Sequence, residues 1–162
     1  MPARSKRPRA YLSGGMEYAP REGANWRRMM GDWLRENLSH SAFNPTVESA
    51  RFLGRLGYTK HGFRALKSGN LKVYQRLVSR IVDRDSREIV RNASYLICHW
   101  ERSAERGAGT KGEVTIAKFF RKPVYVVTRV EPEKIPGWVL GCATLMFSSF
   151  DDLKFFLKKK HQ

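Results

Sequence analysis

Apolar and polar residues alternate between two periods along this chain. Trp26, Met29, Met30, Trp33, Leu34 and Leu38 recur at i, i+3, i+4, i+7, i+8 and i+12, which predicts an amphipathic helix from about Glu22 to Leu38. Ahead of it "RAYLS" reads as a strand running into Gly14 and Gly15. "SAFNPT" predicts a brief strand stopped by Asn44-Pro45, with Thr46 capping a helix through Leu56. Residues 57–69 are rich in turn formers, followed by a basic helix from about Leu71 to Val82 and a second short helix opening at Asp85. "SYLICHW" and "KPVYVVTRV" are continuous apolar runs of the kind buried on both faces of a parallel sheet. The last segment, "GWVLGCATLMFSSFDDLKFFLKKK", predicts one more strand and a closing helix capped by Ser149 or Asp151. Strands alternating with helices imply an α/β fold with helices on both faces of a parallel sheet. Ligands of such sheets bind at the carboxyl ends of the strands, so the loops after Ser13, Pro45, Trp100 and Thr128 are the places for a site.

Composition narrows this picture. The 162 residues, 41% of them hydrophobic, suit one domain with a real core. Boundaries fall at a basic N-terminal tail (1–9), a single domain (10–157) with a basic helical segment at 57–92, and a basic C-terminal tail (158–162). No apolar run approaches the ~20 residues of a membrane span, and no apolar stretch follows the basic N-terminus as in a secretory signal. A cytoplasmic protein without membrane contact is expected. Cys98 and Cys142 sit in apolar surroundings without metal-ligand spacing, so both read as reduced core thiols, and neither a metal nor another cofactor is expected.

Charge adds a candidate partner. Lys and Arg number 31 against 15 acids, a formal +16 with a pI near 10.4. Half of the excess lies at the two ends, but Lys72, Arg76, Arg80 and Arg84 repeat every four residues and are continued by Arg87 and Arg91. Like charges at that spacing repel by roughly 0.2–0.5 kcal/mol a pair. Either this is a solvated face opposite the Tyr74, Leu77, Val78, Ile81 stripe, or it meets a polyanion, making nucleic acid a candidate partner.

Three watched loops carry chemistry. Gly14 and Gly15 lie between a strand end and a helix start, where backbone N–H groups can approach an anion, with Arg21 or Arg27 nearby; a tight turn explains them equally. Asp85, three residues before Glu88, resembles a capping box. His99 and Trp100 end a strand near the site, and Trp100 is a candidate to stack on a base, although packing accounts for both. In "GAGTKGEVTIAKFF", Thr110 and Glu113 have capping-box spacing as well. Yet Gly112 is a poor first-turn residue, by roughly 0.8–1.0 kcal/mol against Ala, and Gly107, Gly109 and Gly112 leave room for a ligand at the helix N-terminus. An ionised carboxylate in such a notch suits attack on a sugar anomeric carbon. Cap and nucleophile are both open readings of Glu113.

"YLSGG", the Asp85-x-x-x-Ile89 then Ala93-Ser94 pattern, and "GTKGEVTIAKFFRKPVYVV" resemble the nucleoside 2-deoxyribosyltransferase family, including its relatives that hydrolyse nucleoside 5′-monophosphates, over residues 10–128. The resemblance implies a flavodoxin-like or Rossmann-like three-layer fold around a five-stranded, mostly parallel sheet. It implies that Glu113 is the nucleophile forming a covalent glycosyl intermediate, that Tyr11 hydrogen-bonds near it, and that Asp85 handles the base and its proton. Gly14, Gly15, Arg27, Trp100, Gly109 and Thr110 complete the expected substrate-binding set. The implied substrate is a nucleoside or, given the basic excess, its monophosphate, and the implied assembly is a homo-oligomer, a dimer or larger. Two departures stand out: Gly107 where many members have Asp, and Ser94 where many have Asp. A non-catalytic nucleotide- or nucleic-acid-binding module using the basic helix face is the alternative, and a small-molecule sensor with both acids as caps is a third.

Overall fold

The computed structural model describes residues 7–161. Five strands form one sheet: β1 (Arg9–Gly14), β2 (Ser41–Phe43), β3 (Tyr95–His99), β4 (Val124–Val127) and β5 (Leu145–Phe147), in the order β2-β1-β3-β4-β5. Every pairing is parallel, so the sheet is wholly rather than mostly parallel, and it has the flavodoxin-like α/β plan. The strand order reverses direction between β1 and β3, whose carboxyl ends therefore bound the crevice such folds use for ligands.

Side-chain alternation builds the three layers. Ala10 and Leu12 of β1, with Tyr95, Ile97, Tyr125 and Val127, face Trp26, Met30 and Leu34 of α1 (Ala24–Leu38) and Leu153 and Leu157 of α8 (Phe150–His161). Tyr11, Leu96, Cys98, Val124 and Val126 face the other way, onto Val114 and Ala117 of α6 (Gly109–Phe119) and Val139 of α7 (Gly137–Cys142). Consequently Tyr11 and Ser13 share the face that α6 covers.

The segment after β2 departs most from expectation. Asn44, not Thr46, caps α2 (Pro45–Arg55): its side chain accepts from Thr46 N at 3.1 Å and Val47 N at 3.5 Å, while Pro45 fills the first helical position. The supposed turn region contains α3 (Lys60–Gly69), whose first turn is tied by Thr59 Oγ1 accepting from Gly62 N. Gly57, at φ +80°, is the true turn residue there. The basic helix is one element, α4 (Leu71–Arg87), that does not stop at Val82. A single π turn over Glu88–Asn92, closed by Ala93 N donating to Glu88 O, delivers the chain to β3. Short α5 (Arg102–Arg106) precedes α6.

At the C-terminus, Lys158, Lys159 and Lys160 form the last turn of α8 rather than a tail, and cations there suit the helix dipole. Of the N-terminal tail, residues 1–6 lie outside the described residues, and Arg9 already belongs to β1. Among the described residues, no helix is long and apolar enough to cross a membrane.

Candidate active site

Glu113 sits one turn inside α6, directly over β1. Its carboxyl accepts from Tyr11 Oη at 2.7 Å and from Ser13 Oγ in a short hydrogen bond. Both hydroxyls project from alternate positions of β1, and both residues are fully buried. The carboxyl is therefore turned onto the sheet and away from its own helix end. The capping reading does not hold: α6 starts at Gly109 after Ala108 with no side-chain cap, and Thr110 is buried in the first turn. Nothing lies within 4 Å of where a Cβ would stand on Gly109 or Gly112, so the notch at the helix start is open.

The electrostatics differ from the ionised carboxylate that the sequence suggested. Burial pushes the Glu113 carboxyl up to about 7, and the charge of Asp85 adds to the rise. The Ser13 and Tyr11 hydrogen bonds and the Arg27 charge oppose it. Near neutral pH the group is thus divided between its two protonation states.

Asp85 enters from α4. It lies in the body of that helix, so it is no N-cap, and the helix face carries it to the sheet end. Arg84 Nε donates to Asp85 Oδ1 at 2.8 Å and Arg84 Nη2 approaches the same oxygen at 2.7 Å, while Nη2 also donates to Ser49 Oγ at 2.9 Å. The guanidinium lies 5.7 Å from the ring centroid of Phe43, which stacks on Tyr11 at 5.2 Å. Burial raises the Asp85 carboxyl; Arg84 and a hydrogen bond with Tyr11 hold it back. The Tyr11 hydroxyl proton is itself held firmly, by burial and by the charge of Glu113. The neighbouring Glu88 is engaged elsewhere, by Arg9 at 2.5 Å and by Asn92 at 2.8 Å.

Other expected binders have structural work. Arg27 is buried, and its guanidinium donates to the carbonyls of Leu12 (3.1 Å), Gly14 (2.8 Å), Gly15 (3.4 Å) and Glu22 (2.6 Å). That set closes the β1–α1 turn and commits four of the five guanidinium N–H donors to backbone carbonyls, in a side chain that is 1% exposed. Gly14 and Gly15 are glycines because neighbours press on them: a Cβ on Gly14 would meet Trp26 at 2.9 Å, and one on Gly15 would meet Ser103 Cβ at 2.8 Å and Ala104 N at 2.9 Å. Trp100 is 1% exposed and packs in the core under α6, so it offers no stacking surface. Two residues of the cluster were not singled out in the sequence. Ser13 has only its period-two relation to Tyr11 as a signal, and Arg84 looked like one more rung of the basic ladder.

Beside the cluster opens a cavity of about 670 Å³ between the β1–α1 loop and the helices α2, α3 and α4. Ser49 lines it and also holds Arg84; Ile81, another lining residue, precedes Asp85 by one helical turn. Among the described residues, no three His, Cys, Asp or Glu side chains gather as metal ligands.

No family model matches the sequence, and no curated protein matches it. Solved structures do. A 2-deoxyribosyltransferase from the psychrotolerant bacterium Bacillus psychrosaccharolyticus superposes with a TM-score of 0.59 at 14% identity, over 90% of each chain. A conserved protein from Enterococcus faecalis V583 gives 0.55 at 12% identity, over 96% of this chain and 99% of its own. The chain has the fold of a nucleoside deoxyribosyltransferase. At these identities the likeness is one of architecture, and the chemistry of this chain has to come from its own side chains. On that fold it places the Glu113 carboxyl against the Tyr11 and Ser13 hydroxyls of β1, with Asp85 near enough for its charge to be felt there. Carboxyls with raised proton affinity can exchange protons near neutrality and, when ionised, act as nucleophiles.

Proposed function

We propose that this protein cleaves or transfers the N-glycosidic bond of a nucleoside or its 5′-monophosphate. The observation that carries the reading is the convergence of Tyr11 and Ser13 on the Glu113 carboxyl, with Asp85 near enough that its charge adds to the rise of that carboxyl. A Glu113 oxygen attacks C1′, forming the C–O bond as the C1′–N bond breaks through an oxocarbenium-like transition state. The electron pair goes to the base nitrogen, which takes a proton from Asp85. Water or a second base then gives its proton to the Asp85 carboxylate as it adds to C1′, and the C1′–O bond to Glu113 breaks with its electron pair returning to the carboxylate. The fold likeness supports this reading, as does the open glycine-lined end of α6.

Two finer points belong to the same proposal. With Arg27 committed to backbone carbonyls, recognition of a 5′-phosphate rests on Arg21, the cation of the β1–α1 loop that lines the cavity. Assembly into a homo-oligomer has its surface candidates in Trp138 and Phe119, exposed on α7 and α6.

The test is incubation with a panel of nucleosides and 5′-monophosphates, with free base read by chromatography. Base release that falls by at least about 10³-fold in Glu113→Gln is the expected result. Undiminished release by that variant would refute the assignment. The nucleic-acid reading loses one rung of its ladder, since Arg84 turns inward to Asp85, whereas Lys72, Arg76, Arg80, Arg87 and Arg91 remain exposed. Steep loss of binding to duplex or single-stranded DNA with rising salt would mark that second activity.

A further inference from the structure

The large cavity differs in character from the carboxyl cluster beside it. Its walls are Leu53, Tyr58, Phe63, Tyr74, Val78 and Ile81, with Phe63 and Tyr74 stacked at 5.0 Å. Three of the four cations that line it are matched by acids of the β1–α1 loop: Lys60 and Arg64 each reach Glu22 at 2.9 Å, and Lys67 reaches Glu17 at 2.9 Å, while Arg21 stands at the loop end of the cavity, apart from these apolar walls. The interior therefore favours an uncharged, flat, largely apolar guest. Its polar end is Ser49, behind which lies Arg84, the donor to Ser49 Oγ and the partner of Asp85; Arg84 Nη1 is buried without a hydrogen-bond partner among the described residues. A buried N–H of that kind is costly unless an acceptor meets it. At about 670 Å³ the space falls in the ~300–1,000 Å³ range of pockets that enclose drug-sized ligands, and exceeds the needs of one heterocyclic ring system.

We propose that this cavity receives the group leaving C1′, and that this group is a nucleobase extended by an apolar ring or chain. The inference rests on the glycosidic reading above and adds to it the class of leaving group. The ring edge presents an acceptor to Arg84 and its leaving nitrogen to Asp85, and the apolar extension lies between α2 and α4 under Phe63 and Tyr74. The α3 helix forms the roof, fastened to the β1–α1 loop through Glu17 and Glu22.

Free bases test this without any turnover. Calorimetric titration of the full chain with adenine against N6-benzyladenine, and uracil against 5-benzyluracil, is carried out on the wild type and on Glu113→Gln. The substituted member of at least one pair is expected to bind at least tenfold more tightly in both proteins. Ala50→Trp, placed at an exposed lining position of α2, should abolish the difference, and Val78→Trp on α4 should do the same from the opposite wall. Equal affinity within both pairs, absence of binding, or a preference that survives both tryptophans in folded protein would overturn the assignment. Loss of this selectivity with base release intact removes only the extended base. Selectivity without base release from any nucleoside removes the leaving-group role and with it the glycosidic reading.

Discussion

The two sides of the crevice are held together differently. On the sheet side, Glu113 is fixed by two buried hydroxyls of β1, and Asp85 by an arginine stacked beneath it on Phe43. On the helical side, α3 is fastened by ion pairs from Lys60, Arg64 and Lys67, each with a cation at least half exposed. Desolvated contacts move protonation equilibria by whole units, while exposed pairs contribute at most about 1 kcal/mol each. Protonation is therefore governed on the sheet side, and the helical side has the weaker fastening.

Substituting Glu113 gives the largest contrast. The native carboxyl retains its proton up to about 7 against an ordinary 4.5, so between those values the unfolded chain binds fewer protons and stability falls as pH rises. The loss is complete above about pH 7 and amounts to roughly 2–3 kcal/mol. Denaturant titrations at pH 4.5 and pH 8 should show this slope in the wild type and its disappearance in Glu113→Gln. In the glycosidic reading, the acid limb of kcat/KM should also lie near pH 7, since the nucleophile must be ionised.

Arg84→Met comes next. It leaves Asp85 buried without its cation, at a cost of about 2 kcal/mol in urea denaturation. Because Arg84 holds the Asp85 carboxyl down, its removal should shift the alkaline limb of kcat/KM to higher pH. Tyr11→Phe removes a hydrogen bond that lowers Glu113, so the acid limb should move upward, with about 1–2 kcal/mol lost from the fold. An acid limb unmoved by that change would mean that the phenol does not govern the carboxyl. Glu17→Gln on the helical side should alter the urea midpoint by less than about 1 kcal/mol, and less still in high salt.

These same two sides were unequally legible in the sequence. All five strands and α1 announced themselves, because period-two and period-3.6 patterns come from burial that the sheet imposes. Glu113 stood out by its glycine-lined notch, and Tyr11 and the role of Asp85 came from a family resemblance; the structure sets the Tyr11 hydroxyl on the Glu113 carboxyl at 2.7 Å. Asp85 looked like a helix start since Asp-x-x-Glu has cap spacing wherever it falls; only the continuity of Val82–Arg87 shows that the helix had already begun. Helix α3 was hidden by Gly57, Gly62 and Gly69, the last two of which sit inside it. Arg27 and Trp100 looked available because a linear sequence does not say which side of a strand end is already occupied.

Arg21, Glu22 and Gly23 take left-handed backbone angles in succession, at φ 48°, 54° and 68°. For two of the three this conformation costs on the order of 1 kcal/mol or more, so the segment is a wound spring. Its catches are Arg27 on the Glu22 carbonyl and α3 on the Glu22 carboxylate. Breaking the two α3 ion pairs would undo one catch and leave the other, which Arg27 anchors to β1 through the Leu12 carbonyl, in place.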